Sequence, residues 1–150
     1  FPTEEPGELG ARLRERGGEY GVTTGRPRRC GWLDLVALRY AQRVNGFTEL
    51  AVTKLDVLSG LSELKVCVAY DIGGRRTGEF PCSVAELSAA RPIYESLAGW
   101  QEDICGVRLW EDLPKNARRY LEFIGEALGV PVALVGVGPR EEQLIRRAEG

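Results

Sequence analysis

Asp112–Val137, DLPKNARRYLEFIGEALGVPVALVGV, decides the fold class. Tyr120, Ile124, Ala127 and Leu128 recur at helical spacing. Asp112 offers a capping carboxylate, Pro114 suits a first turn, and Gly129 ends the helix. Pro131–Val137 is then an unbroken apolar run, the pattern of a strand covered on both faces. A helix feeding a buried strand is the repeating unit of a layered α/β structure. Gly138-Pro139-Arg140 closes the run, and Glu141–Glu149 reads as a short charged helix or tail.

Upstream, the same alternation of periods continues. Glu63–Ile72 places Leu64, Val66, Val68 and Tyr70 two apart and is the clearest strand. Gly73-Gly74 is a hairpin turn, with Arg75–Phe80 as its return. Glu49–Leu58 opens as a short strand. Trp32–Val44 is close to helical, with Arg39 and Arg43 on its outer side and Asn45-Gly46 as its stop. Gly7–Arg16 is a short amphipathic helix ended by Gly17-Gly18. Val84–Ala90 is one or two helical turns broken by Arg91-Pro92, and Gly21–Gly31 is a loop. These elements predict an α/β fold with a mixed, partly parallel sheet and flanking helices, taken as a single domain over residues 1–150.

Composition narrows the chemistry. Of 150 residues, 20 are Lys or Arg and 22 Asp or Glu, so the net charge of −2 does not suit a polycationic nucleic-acid binder. No apolar run reaches the roughly 20 residues of a membrane-spanning helix. There is no histidine, which removes His-based metal sites, Ser-His-Asp and Cys-His nucleophiles, and a His general acid or base. Cys30, Cys67, Cys82 and Cys105 contain no CxxC pair, and are expected to be reduced, mostly buried thiols. The N-terminal FPTEEPGEL has no apolar core of a signal peptide, and the expected location is cytoplasmic. The chain starts at Phe and contains no Met, which fits either processing or a piece of a longer protein.

Three stretches could carry chemistry. Val22-Thr23-Thr24-Gly25-Arg26-Pro27-Arg28-Arg29 gathers two hydroxyls and three guanidiniums. Arginine pairs in bidentate fashion with carboxylate or phosphate, so this is an anion-binding loop or, equally compatible with composition, a solvated basic turn. A minor-groove GRP segment is a third reading, set against an acidic protein and an adjacent amphipathic helix. Thr53-Lys54-Leu55-Asp56 follows a strand. A carboxylate there can accept from the ring N–H and exocyclic amine of guanine, a donor pair adenine lacks, and the Lys stem can cover the base. The alternative is two exposed charges at a strand end. Gly136-Val137-Gly138 could let backbone approach a flat base closely, or be an ordinary strand-to-loop turn. Glu102-Asp103, Glu111-Asp112 and Glu141-Glu142 are sequence neighbours and do not converge as catalytic pairs. Trp32, Trp100 and Trp110 read as packing residues.

In this order, FPTE at Phe1–Glu4, GVTTGRPRRCGWLD at Gly21–Asp34, TKLDVL at Thr53–Leu58, VCVAY at Val66–Tyr70, PIYE at Pro92–Glu95 and Gly99-Trp100 resemble the adenylosuccinate synthetase family along nearly the whole chain. The resemblance implies GTP-dependent joining of IMP and L-aspartate to adenylosuccinate through a 6-phosphoryl-IMP intermediate, in AMP biosynthesis. It implies that Val22, Thr23, Thr24, Gly25, Arg26, Pro27 and Arg28 form a mobile aspartate-binding loop. In that loop Thr24 and Arg26 take the carboxylates, Arg26 also reaches IMP, and Arg28 is shared with the GTP phosphates as the one catalytic residue of this chain. Lys54, Leu55 and Asp56 match the guanine-recognition element, and Gly136, Val137 and Gly138 the stretch closing over the base. The family often has Ser where this chain has Gly136.

The family's glycine-rich phosphate loop, its catalytic Asp, which also binds magnesium, and its acid His have no counterpart here. The resemblance thus implies the C-terminal part of a larger, P-loop-NTPase-like enzyme, with the Mg2+ ligands outside this chain, a homodimeric whole and an inactive isolated piece. The competing expectations are a non-catalytic guanine-nucleotide-binding module and a nucleic-acid-binding domain using the Arg26–Arg29 cluster.

Overall fold

The computed structural model describes residues 1–147. Its chain contacts group into two compact units, Phe1–Tyr40 with Lys65–Ser96, and Ala41–Leu64 with Leu97–Gly150, where the sequence reading took one domain. The architecture is mixed α/β, with parallel and antiparallel pairings and flanking helices, as expected.

The first unit begins with Thr3–Glu5 laid antiparallel along Cys30–Trp32: Glu5 N donates to Cys30 O at 2.9 Å and Trp32 N to Thr3 O at 3.1 Å. Gly31 is obligatory there, because a Cβ would fall 2.0 Å from Thr3 O. Helix α1, Glu8–Gly17, buries Leu13 and ends at Gly18 in the left-handed region, matching the glycine stop. Strand β1 is only Leu33–Asp34, and helix α2 runs Leu35–Asn45, so the expected helix start at Trp32 is three residues early. The reason is Asp34, whose Oδ1 accepts from Val36 N at 3.0 Å and Ala37 N at 3.1 Å and so caps the helix. Arg39 is not turned outward: Nη1 donates to Val68 O at 3.1 Å.

Strand β3, Leu61–Ile72, pairs in parallel with β1 (Leu33↔Val66) and antiparallel with β4, Arg75–Thr77. The expected alternation breaks over Val66–Tyr70, where Cys67 and Ala69 are buried as well as Val66 and Tyr70, so both faces are covered. Gly73 and Gly74 both have positive φ, as a tight hairpin turn of this hand requires. The core here is Val36, Cys67 and Tyr70, with Tyr94 and Phe80 packed on it. Helix α3, Val84–Ala89, is capped by Ser83. Arg91-Pro92, expected only to break that helix, in fact opens strand β5, Arg91–Trp100, which pairs with β3. Proline is tolerated because it sits at the strand's start.

In the second unit β2, Leu50–Val52, lies parallel to β6, Val132–Gly136, and β6 antiparallel to β7, Leu144–Arg146. Helix α4, Lys115–Leu128, lies against β6 and buries Ala117, Tyr120, Leu121, Ile124 and Leu128. Its N-cap is Pro114, so Pro114 does not occupy the first turn. Asp112 belongs instead to a separate short turn, Trp110–Asp112. Gly129 caps the C-terminus as expected. The expected charged helix or tail over Glu141–Glu149 is a 3-10 turn, Glu141–Gln143, followed by β7; the part of that expectation on residues 148–149 lies outside the described residues. Ile145 is fully buried, which is why so polar a segment pairs as a strand.

All four cysteines are free thiols, but only Cys67 is buried; Cys82 is exposed and Cys30 and Cys105 are half-buried. Trp100 and Trp110 pack in the interior, whereas Trp32 is half-buried with its indole N–H enclosed and without a hydrogen-bond partner among the described residues.

Candidate functional site

The second unit brings two of the sequence-derived stretches together. Strands β2 and β6 run parallel with Val52 opposite Val135, so Thr53, just past β2, and Gly136, the last residue of β6, lie side by side at the sheet's carboxyl edge. That edge is where open α/β sheets hold ligands. The approach is close: a Cβ on Gly136 would lie 3.3 Å from Thr53 Cα and 3.6 Å from Lys54 N. Glycine at 136 therefore answers first to the neighbouring backbone.

Beyond β2, Lys54 takes φ +60° and reverses the chain into a 3-10 turn, Leu55–Leu58. Leu55 and Val57 are buried and pin that turn, leaving Asp56 between them half-buried, with Oδ1 covered. Val57 N donates to Lys54 O at 3.2 Å and Ser59 N to Asp56 O at 3.1 Å. The far end is locked by Trp100, whose Nε1 donates to the buried Ser59 Oγ at 3.0 Å. The carboxylate of Asp56 is thus carried on a short, doubly anchored turn next to Gly136. Such a support suits recognition of a fixed donor pair.

Gly138 is governed by a residue the sequence reading passed over. The Gln143 side chain lies against its Cα, with Oε1 and Cδ each 2.3 Å from where a Cβ would stand. Gln143 Oε1 accepts from Arg140 N at 3.1 Å, its Nε2 donates to Cys105 O at 3.0 Å, and its backbone O accepts from Val137 N at 2.9 Å. The signal available was its position, three after Arg140 at the start of a helical turn, where Glu or Gln side chains reach back to the cap.

The first unit holds the cationic loop. Residues Val22–Arg29 are all exposed, Val22 almost completely at 97%. The loop is nonetheless ordered by its own backbone: Gly21 N donates to Arg26 O at 2.9 Å, Gly25 N to Gly21 O at 2.8 Å, and Arg28 N to Glu19 O at 2.9 Å. Arg26 N also donates to Thr24 Oγ1 at 3.3 Å, and Tyr20 bridges Pro27. Gly25, at φ +64°, supplies the turn.

The three guanidiniums differ. Arg29 pairs with Glu4 and stands 5.3 Å from the Phe1 ring centroid, so it fastens the loop's root. That pairing holds the Glu4 carboxyl below its usual range and raises Arg29. Arg28 Nη1 meets Glu19 Oε2 at 2.8 Å, with Arg14 Nε on its carbonyl at 2.7 Å. An exposed pair of this kind contributes about 0–1 kcal/mol, so an arriving anion can displace Glu19. Arg26 makes no ion pair among the described residues and projects its fork into solvent. Two arginines and two threonine hydroxyls within one loop have the chemistry to hold a dicarboxylate.

No group of three or more Cys, Asp or Glu among the described residues converges to hold a metal ion. Glu102 and Asp103 instead accept from nearby backbone, Gln101 N at 3.0 Å and Cys105 N at 2.9 Å. No helix of the described residues is long and apolar enough to cross a membrane.

Comparison with known proteins follows the same lines. Residues 1–145 match the family model for adenylosuccinate synthetase. Over 149 residues the chain is 60% identical to the adenylosuccinate synthetase of Pelotomaculum thermopropionicum, covering 99% of this chain and 35% of that protein. It is 58% identical over 147 residues to the one of Halothermothrix orenii, covering 98% of this chain and 34% of the relative. A solved structure of fully ligated adenylosuccinate synthetase from Plasmodium falciparum superposes with TM-score 0.95 at 40% identity, over 99% of this chain and 36% of that one. The chain spans about a third of the length of the relatives it matches.

Proposed function

Because this chain belongs to the adenylosuccinate synthetase family, we propose that it supplies the guanine-recognition and aspartate-binding parts of a GTP-dependent ligase that joins IMP and L-aspartate. The observation that carries the reading is the meeting of Thr53-Lys54 with Gly136 at one carboxyl edge, with Asp56 on its anchored turn beside them.

In this reading Asp56 accepts the ring N–H and exocyclic amine of guanine. The Lys54 stem and the Gly136-Val137-Gly138 backbone cover the two faces of the base. In the loop, Thr24 and Arg26 fix the carboxylates of aspartate, and Arg26 also meets IMP. Val22, Thr23, Gly25 and Pro27 shape the turn that presents them. Arg28 exchanges Glu19 for ligand oxygens and offsets charge on the transferring phosphoryl group. With the activity go Mg2+ as the nucleotide's counter-ion, a cytoplasmic location and a homodimeric enzyme. Among the described residues no group of three or more Cys, Asp or Glu converges to hold Mg2+.

Asp56→Asn in the full-length gene product tests the reading. Replacing the acceptor removes a charge-assisted hydrogen bond of about 1.5–3 kcal/mol, or roughly 10–100-fold in KM for GTP. The preference for GTP over ATP should fall with it, measured by a coupled phosphate-release assay with IMP and aspartate present. An unchanged KM for GTP would refute the assignment of Asp56.

A further inference from the structure

We propose that Gln143 is a positioning residue for purine binding: its amide sets where the Gly136–Gly138 backbone lies, and so how closely that backbone covers the base. The proposal rests on the reading of Gly136–Gly138 as the base-covering stretch. Its own support is separate.

Three contacts converge on one side chain. Oε1 accepts from Arg140 N at 3.1 Å, which closes the turn after Gly138-Pro139. Nε2 donates to Cys105 O at 3.0 Å, which ties that turn to a second one. The second turn is itself braced, by Cys105 N on Asp103 Oδ1 at 2.9 Å and by Arg108 Nη1 on Cys105 O at 2.8 Å. The amide plane meanwhile rests where any side chain at 138 would be, so Gly138 has no room for a side chain and cannot move toward Gln143. Main chain adds a fourth tie, Val137 N to Gln143 O at 2.9 Å. The loop residues Val137 and Gly138 therefore take their position from Gln143. Asp56 does not, being held by Leu55, Val57 and Ser59. One site is thus built from two independently supported halves: a carboxylate that reads the base edge, and a backbone shelf that covers its face.

This separation makes the test specific. Gln143→Met keeps the length of the side chain and loses both amide bonds, while Gln143→Glu keeps the acceptor for Arg140 N and loses the donor to Cys105 O. In the full-length gene product, Gln143→Met should raise KM for GTP about fivefold to tenfold, and Gln143→Glu by less. The kcat and the KM values for IMP and aspartate should stay within twofold. Inosine triphosphate, which lacks the exocyclic amine, provides the second readout. The shelf covers either base, so the GTP-to-ITP preference should persist in the Gln143 variants, whereas Asp56→Asn should abolish it.

Unchanged KM for GTP in both Gln143 variants overturns the proposal. So does a fall in the GTP-to-ITP preference, which would mean that Gln143 acts through Asp56. A joint change of kcat and every KM, or failure of both variants to fold, would make Gln143 merely structural and overturns it as well. If Asp56→Asn leaves GTP use untouched, the base-recognition reading itself fails; if only the Gln143 variants do, that reading stands and this inference alone is lost.

Discussion

Removing the hydroxyl of Tyr70 should weaken the first unit measurably without leaving a hole. Tyr70 is fully buried, and its phenol donates to Asp34 Oδ2. Burial first, and the Asp34 carboxylate second, push the phenol's pKa well above its ordinary value, so it remains a donor throughout the neutral range. Phe occupies nearly the same volume, so Tyr70→Phe loses the bond and little else. A hydrogen bond to a carboxylate contributes about 1.5–3 kcal/mol, and that is the expected loss.

Asp34→Ala should cost more. It removes the same bond and the two α2 cap contacts at 3.0 and 3.1 Å, a further loss of about 1 kcal/mol. It also strands a buried phenol, adding about 1–3 kcal/mol. Urea denaturation followed by circular dichroism reads both, as shifts of midpoint at constant slope. The double variant closes the cycle, and the coupling should exceed about 1 kcal/mol, because the two groups touch. Were Tyr70→Phe to cost under about 0.5 kcal/mol, or Asp34→Ala no more than Tyr70→Phe, the account of this network would be wrong.

Two further outcomes follow from charge and burial. Glu4 is held below its normal pKa chiefly by its hydrogen bond with Arg29, so its contribution is present above the ordinary carboxylate value of 4.5 and disappears as pH falls through the depressed folded value. Protection of the Glu5 and Trp32 amides, which bond across this pairing, should fall relative to the intrinsic exchange rate in that acid window and in Glu4→Gln at neutral pH; protection unchanged in both would dismiss the clasp. Among the thiols, Cys82 is exposed, while burial, then Asp34, pushes Cys67 up to about 12. A disulfide reagent at pH 8 should titrate Cys82 in the native protein and Cys67 only after denaturant, and rapid native labelling of Cys67, read by mass spectrometry, would contradict its placement.

What the sequence made legible was set by how far each element carries its own signal. Helix α4 and strand β6 have long periodic or continuous apolar patterns, and both stand close to where those patterns put them. Strand β5 was hidden because Pro92 looks like a breaker and Glu95-Ser96 interrupt any alternation, while its pairing with β3 is a tertiary fact. Strand β7 has one buried side chain, Ile145, among charges, and β1 is two residues long, too short for any period to show. The start of α2 turned on Asp34, which the aromatic and apolar residues before it masked. At the site, Thr53–Asp56 and Gly136–Gly138 each gave a weak pattern; that they lie side by side needed the parallel register of β2 on β6. Gln143 carried only a spacing to a cap, and its reach to Cys105 spans 38 residues that no local pattern links.

The left-handed backbone of Lys54 limits which side chains position 54 of the proposed base-recognition turn can carry. At φ +60° a branched β-carbon collides with its own peptide, so Val, Ile and Thr are excluded at 54 whatever they would offer a ligand. Asn and Gly are the residues that adopt this conformation most readily, and Gly would ease the turn while discarding the stem. A library that tests the proposed base reading should therefore randomise position 56 freely and hold 54 to unbranched side chains.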